Sequence, residues 1–283
     1  KNINTSYDVL SHYSSHPNNF TELGGSLVFF AWGGADLNNA GYLWKTDGTE
    51  NGTTILKEIY NHNYESGSKP YSGEIVKTPT HLFFEGQSKV PNTTSIQREI
   101  WKSDGTVAGT VKIKSYLGGN QGDGGTKESL YDIFDMEYSN GLVFFTMTDN
   151  SSSKIDLWKT DGTEAGTVRI YENCQSQIQS YNNQIYFFIA GVPDPYNNVS
   201  YSMRRHNGTS GGFVKSIGSS TAAKIPRFFG VANNLLLFAA DGTIVVNGNN
   251  INSGMELWKS DGTGAGTAIV KDITPEVPNN FPP

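Results

Sequence analysis

Apolar residues in this chain gather in short runs, each just after a cluster of turn-forming residues. LVFF at 27–30 follows Gly24-Gly25, and LFF at 82–84 follows Thr78-Pro79-Thr80. LVFF at 142–145 follows Ser139-Asn140-Gly141, IYFF at 185–188 follows Asn182-Asn183, and LLLF at 235–238 follows Asn233-Asn234. Runs of three or four residues are too short for helices, and their aromatic and β-branched content favours strands. Because each run is apolar at every position rather than at alternate ones, it predicts a strand covered on both faces. The Gly and Asn residues supply the positive φ that tight hairpins need, so each run is expected to pair with the stretch before it.

A second segment follows each run after a variable interval. Near-copies stand at 43–53 (LWKTDGTENGT), 100–110 (IWKSDGTVAGT), 157–167 (LWKTDGTEAGT) and 257–267 (LWKSDGTGAGT). They hold Trp44, Trp101, Trp158 and Trp258, four of the five tryptophans. A decayed copy, MRRHNGTSGGFVKSI at 203–217, carries Arg204 in place of Trp and His206-Asn207 in place of Ser-Asp. Each copy reads as strand, turn, strand: Trp158 alternates with Leu157 and Lys159, Asp161-Gly162-Thr163 turns the chain, and TVRIYEN leads out. One unit is therefore a four-stranded antiparallel meander, and five units about 52 residues apart predict an all-β, five-bladed β-propeller. Blades are expected near 20–60, 73–116, 133–173, 177–217 and 227–273, in a single domain over 1–283. The segment PNNF occurs at 17–20 and again at 278–281. The expected ring therefore closes between its N- and C-terminal segments, 1–19 and 274–283. An open array of repeats is the alternative.

On these residues the chain resembles the ELWxxDGT repeat family of secreted and surface proteins of bacteria. The resemblance rests on Glu256-Leu257-Trp258 through Gly266-Thr267 and on the three other tryptophan segments with their DGTxxGT tails. It implies export and a propeller-like repeat, and no established activity.

Composition narrows the function. The chain has 283 residues, 17% charged, with a net charge of −6 and no basic stripe, which argues against nucleic-acid partners. No apolar run reaches the roughly 18–20 residues of a membrane helix, so no membrane insertion is expected. The chain opens KNINTSYDV without a visible signal peptide, as a mature, trimmed or excised domain would. Cys174 is the one cysteine, which rules out an internal disulfide.

Alternation of connections in a four-stranded blade puts the short hairpin turns and the DGTxxGT turns on one end, and the variable loops on the other. Function on repeat scaffolds sits where loops vary. The candidate ligand-binding residues are therefore Trp32, Asp36, Tyr64, Tyr71, Tyr131, Asp149, Asp194, Tyr196 and Asn197. Aromatic plates beside carboxylates and amides suit a sugar ring and its hydroxyls. The reading is a secreted or cell-surface, non-enzymatic, lectin-like binding module, whose partner is a glycan or surface polymer. A docking scaffold for another surface protein, such as an adhesin or exported-cargo domain, is one alternative. A propeller glycoside hydrolase is the other; its carboxylates would come from the inner strands, as Glu22, Glu74 and Asp135. No cofactor or metal is expected, with Ca²⁺ at the acidic loops 122–125 and 149–156 as the one option. The pair His12 and His16 lies in a loop without partners for zinc.

Overall fold

The structure is a computed structural model, and it describes residues 1, 3, 7–8, 11–12, 14–33, 40–61, 74–90, 96–117, 133–149, 154–175, 177–192, 195, 199–220, 224–246 and 249–271. A two-residue hairpin comes first, β1 (Tyr7–Asp8) with β2 (Ser11–His12). Then come five antiparallel meanders. The first is β3 (Asn18–Leu23), β4 (Ser26–Trp32), β5 (Gly41–Thr46) and β6 (Thr54–Asn61). The second is β7 (Ile75–Lys77), β8 (Leu82–Lys89), β9 (Ile96–Ser103) and β10 (Val111–Leu117). The third is β11 (Ile133–Ser139), β12 (Leu142–Asp149), β13 (Lys154–Thr160) and β14 (Val168–Cys174). The fourth is β15 (Ile178–Tyr181), β16 (Gln184–Ala190), β17 (Val199–His206) and β18 (Gly211–Ser220). The fifth is β19 (Arg227–Ala232), β20 (Leu235–Val246), β21 (Asn249–Ser260) and β22 (Ala268–Lys271). A short parallel bridge, Tyr60 to Gln87 and Asn61 to Ser88, joins the first two into one larger sheet. Among the described residues there is no helix.

The apolar runs form the second strand of each meander and are sealed on both faces: Phe144, Phe145, Phe187 and Phe188 are wholly buried. In four sheets the second strand sets a phenylalanine directly across from the repeat tryptophan. The pairs are Phe29–Trp44, Phe84–Trp101, Phe145–Trp158 and Phe238–Trp258. Phe238 and Trp258 stack at 5.9 Å and 22° within a core cluster shared by the fourth and fifth sheets.

The DGTxxGT segment is a hydrogen-bonded knot, repeated in four sheets with nearly the same distances. In the third sheet Asp161 Oδ1 accepts from the Thr163 amide at 2.8 Å and its hydroxyl at 2.7 Å. Thr163 Oγ1 accepts from the Gly166 amide at 2.9 Å, and Thr167 Oγ1 donates to the Thr163 carbonyl at 2.6 Å. Thr160 and Thr167 hydroxyls meet at 2.7 Å across the base of the turn. Gly162 takes φ +87°, open to glycine at little cost. A Cβ on Gly166 would fall 2.0 Å from Asp161 Oδ1, so the second glycine leaves room for the carboxylate. Those hydrogen bonds hold the Asp161 carboxyl below its usual range, the Thr163 hydroxyl contributing most.

Each sheet is also pinned to the next. Lys114 of the second sheet donates to the Thr167 carbonyl of the third at 2.9 Å and lies 5.8 Å from the Trp158 ring centroid. Lys215 of the fourth donates to the Thr267 carbonyl of the fifth at 2.6 Å. Between the third and fourth sheets the two partners are exchanged: Tyr171 stands where Lys is found elsewhere and Arg204 where Trp is. The cation–π contact survives with its ends reversed, at 5.6 Å. The departure of the fourth repeat is thus compensated in the third.

The outermost faces differ from the inner ones. Leu27 is 43% exposed, whereas Leu82, Val143, Ile185 and Leu236 at the same repeat position are at most 1% exposed. Val270 at the other end is 47% exposed, against 2% for Leu56. Lys1 donates to the Thr53 carbonyl at 3.0 Å, the contact Lys114 and Lys215 make further along. Among the described residues no strand pairing joins the fifth sheet to the first. The second half of the expected closure, residues 274–283, lies outside the described residues.

Two variants test this packing. Gly166→Ala is expected to lower stability by about 1–3 kcal/mol in denaturant titration, because its methyl overlaps the carboxylate. Tyr171→Lys and Arg204→Trp should each destabilise. Together they restore the arrangement of the neighbouring sheets, and the double variant should exceed the sum of the singles by about 0.5–2 kcal/mol.

Candidate active site

The first strand of each sheet starts at the end fed by the long links and runs to the hairpin turn. The acids that matter sit near that starting end, on the second and third sheets. Glu74 immediately precedes β7 and is exposed. Asp135 and Glu137 lie on β11, where a bulge between Ile133 and Asp135 resets the alternation. After it, Asp135 and Glu137 share one face and Met136 turns into the core, 5% exposed.

These three carboxyls interact. Glu74 interacts with Asp135, and Glu74 Oε2 also accepts from the Met136 amide at 3.2 Å. Asp135 Oδ2 accepts from the Ile178 amide of the fourth sheet at 2.9 Å. Glu137 Oε1 accepts from Gln179 Nε2 at 3.3 Å. Burial is the main cause that pushes Asp135 up to about 7; repulsion from Glu74 and Glu137 adds to it, against the lowering effect of the Ile178 N–H. Burial, then Glu74, likewise raises Glu137 to about 7. Two acids that keep their protons to neutral pH beside an exposed third carboxylate can donate and accept protons in the range where most enzymes work.

Of Glu22, Glu74 and Asp135, the structure brings two together. Glu74 and Asp135 do meet. Glu22 lies at the hairpin end of β3, pairs with Lys77, and is held below the usual carboxylate range by that lysine's hydrogen bond. Glu137 instead lies beside Glu74 and Asp135, and its signal in the sequence is the i, i+2 spacing of acids in Asp135-Met136-Glu137.

The proposed ligand residues fare differently. Trp32 is 8% exposed, so it packs within the sheets and offers no open stacking plate, a correction to its assignment. Asp149 ends β12, paired with Lys154. Asp36, Tyr64, Tyr71, Tyr131, Asp194, Tyr196 and Asn197 lie outside the described residues, as do Asn150–Ser153 and the loop 122–125 considered for Ca²⁺. Among the described residues no group of three or more His, Cys, Asp or Glu is arranged to hold a metal ion. Cys174 is buried, and burial pushes its thiol up to about 12, which leaves it inert as a nucleophile.

No protein-family model and no curated protein matches the chain. Solved structures do. The β-propeller domain of the Trilobed protease from Pyrococcus furiosus, described as having an open velcro topology, aligns at a TM-score of 0.50 and 10% identity. That alignment covers 88% of this chain and 69% of the other. Hadza microbial sialidase Hz136 aligns at 0.38 and 10% identity, over 70% of this chain and 45% of that one. A GH43 endo-arabinanase from Bacillus licheniformis aligns at 0.33 and 13% identity, over 86% and 94%. The first likeness supports a propeller-like, all-β fold. The expectation of a non-enzymatic binding module is corrected by the carboxyl cluster described above, three interacting acids that a passive binding surface does not call for.

The raised carboxyls make stability pH-dependent. Asp135 and Glu137 bind protons more tightly folded than unfolded, so the folded state loses stability as pH rises from about 4 to about 7. Asp135→Asn combined with Glu137→Gln should flatten that decline by about 2–4 kcal/mol, read from thermal unfolding at pH 5 and pH 8. An unchanged slope would place the two carboxyls in ordinary solvent.

Proposed function

We propose that this protein is a propeller glycoside hydrolase whose proton-transferring groups are Asp135 and Glu137, assisted by Glu74. The observation that carries the reading is the cluster of three interacting carboxyls, two of them raised to about 7, on adjoining inner strands. Two residues along one strand span about 6.6 Å, at the lower edge of the roughly 6.5–9.5 Å that separates the carboxyls of inverting glycosidases. Glu137, held by Gln179, is the proton donor to the glycosidic oxygen. Asp135, oriented by the Ile178 amide, acts in its ionised form and takes a proton from the attacking water. The bond from the anomeric carbon to the leaving oxygen breaks as the water oxygen adds from the opposite face, giving a product of inverted configuration.

Ring geometry belongs to the same proposal. Closing five blades would bring the uncovered Leu27 and Val270 faces together and set the inner strands around one axis. Lys1, seated on the first sheet where a preceding sheet's lysine sits elsewhere, supports an N-terminal segment that completes the fifth blade. The likeness of the tryptophan segments to ELWxxDGT repeats supports export, so the substrate is an extracellular glycan.

Reducing-sugar release from a panel including arabinan, galactan and sialylated glycans tests the reading. Wild-type protein should release sugar, and Asp135→Asn and Glu137→Gln should each lower the rate by about 10²–10⁴-fold with circular dichroism unchanged. Glu22→Gln should leave it unaltered. Full activity in both carboxyl variants, or none in the wild type between pH 4 and pH 8, would refute the proposal.

A further inference from the structure

The fourth repeat departs from the others in a second respect. In the third sheet Lys159 pairs with Val168, and the eight residues 160–167 form the turn between them. In the fourth, Arg205 pairs with Gly212, and only 206–211 lie between. The turn is two residues shorter, and Gly211 and Gly212 occupy the place of Thr167 and Val168. The Asp–Thr knot is gone. His206 Nδ1 accepts from the Gly208 amide at 2.9 Å, and Asn207 Oδ1 accepts from the Thr209 and Ser210 amides at 2.9 and 2.8 Å.

Beside this turn is a cleft of about 470 Å³ at the hairpin end of the sheets, with neither Asp135 nor Glu137 in its lining. The turns of two sheets converge there. Asn140 comes from the third sheet, and Asn182, Asn183 and Gln184 from the fourth; Asn207 and Arg205 complete the wall. Asn140, Asn182 and Asn183 all have left-handed backbones, with φ of 52°, 47° and 57°. Asn140 Nδ2 donates to the Asn207 carbonyl at 3.0 Å, which ties the two sheets across the cleft.

The chemistry of this wall is selective. Five primary amides offer donors and acceptors side by side, the pattern that matches vicinal hydroxyls. Arg205 brings a fixed positive charge, and no carboxylate lines the cleft. Arg205 bonds the Gly262 carbonyl at a long 3.4 Å and the Tyr186 hydroxyl, while a guanidinium carries five N–H donors in all. The volume falls within the range of small-ligand sites and accommodates one or two sugar rings.

We infer that this cleft is a second glycan site, independent of the inner-strand carboxyls, which binds a sugar bearing a carboxylate, of the uronic acid class. The amides take the ring hydroxyls and Arg205 takes the acid. The shortened turn of the fourth repeat contributes Ser210, Gly211 and Gly212 to its wall.

Galacturonic acid trisaccharide and its neutral counterpart, galactose trisaccharide, are the probes, followed by NMR on the side-chain amides. The acidic trisaccharide should shift the Asn140, Asn182, Asn183, Gln184 and Asn207 signals and bind at least tenfold more tightly than the neutral one. Arg205→Gln should abolish that preference, while Glu137→Gln should leave cleft binding intact whether or not it affects hydrolysis. Equal binding of the two probes, an unchanged preference in Arg205→Gln, or shifts confined to the inner strands would overturn the inference.

Discussion

One side-chain carboxylate in each of four sheets sets the geometry on which the rest depends. In the DGTxxGT turn it occupies the position a Cβ would need on the second glycine, and it takes both the amide and the hydroxyl of the following threonine. That threonine in turn accepts from the glycine amide, and the last threonine bridges back to the start of the turn. The third and fourth strands are therefore held in one register, which fixes where the tryptophan stands against the phenylalanine of the second strand. The third and fifth sheets offer the same threonine carbonyl to the lysine of the sheet before them, and the first offers it to Lys1. Repetition of one local knot becomes a regular stack.

Such a stack leaves its inner strands free to vary, because their register is set by hairpins and by the strands behind them. The acids on β11 use that freedom. They also serve the packing: Asp135 caps an amide of the next sheet, and Glu74 does the same for β11. Burial between sheets is the main reason their protons are held so tightly. Structure and chemistry thus draw on one arrangement, and the cost is a folded state that weakens as these groups ionise.

The all-β character and the four-stranded sheets were legible in the sequence because the signals are local. A run such as LVFF between Asn-Gly and a DGT turn can be little else. The acids were only partly legible. Glu74 and Asp135 could be picked out as inner-strand residues, but which face each presents depends on the bulge after Ile133, which leaves no mark in composition. Glu22 is drawn away by Lys77 of the neighbouring sheet, a partner that its own segment does not reveal. Trp32 looked like an open aromatic because burial between sheets is not a property of its own segment. The exchange of Tyr171 and Arg204 did carry a signal: two adjoining repeats break pattern at positions that touch.

The most direct test of the structural claim is amide exchange at Gly162 and Gly262, whose N–H groups donate to the hydroxyls of Thr160 and Ser260 at 3.0 Å within buried turns. If the knots hold the sheets in register, these amides exchange as slowly as those of the adjoining strand residues Leu157 and Leu257, through global unfolding alone. Exchange at the rate of an open surface loop would show that the turns merely decorate the sheets, and would contradict the account.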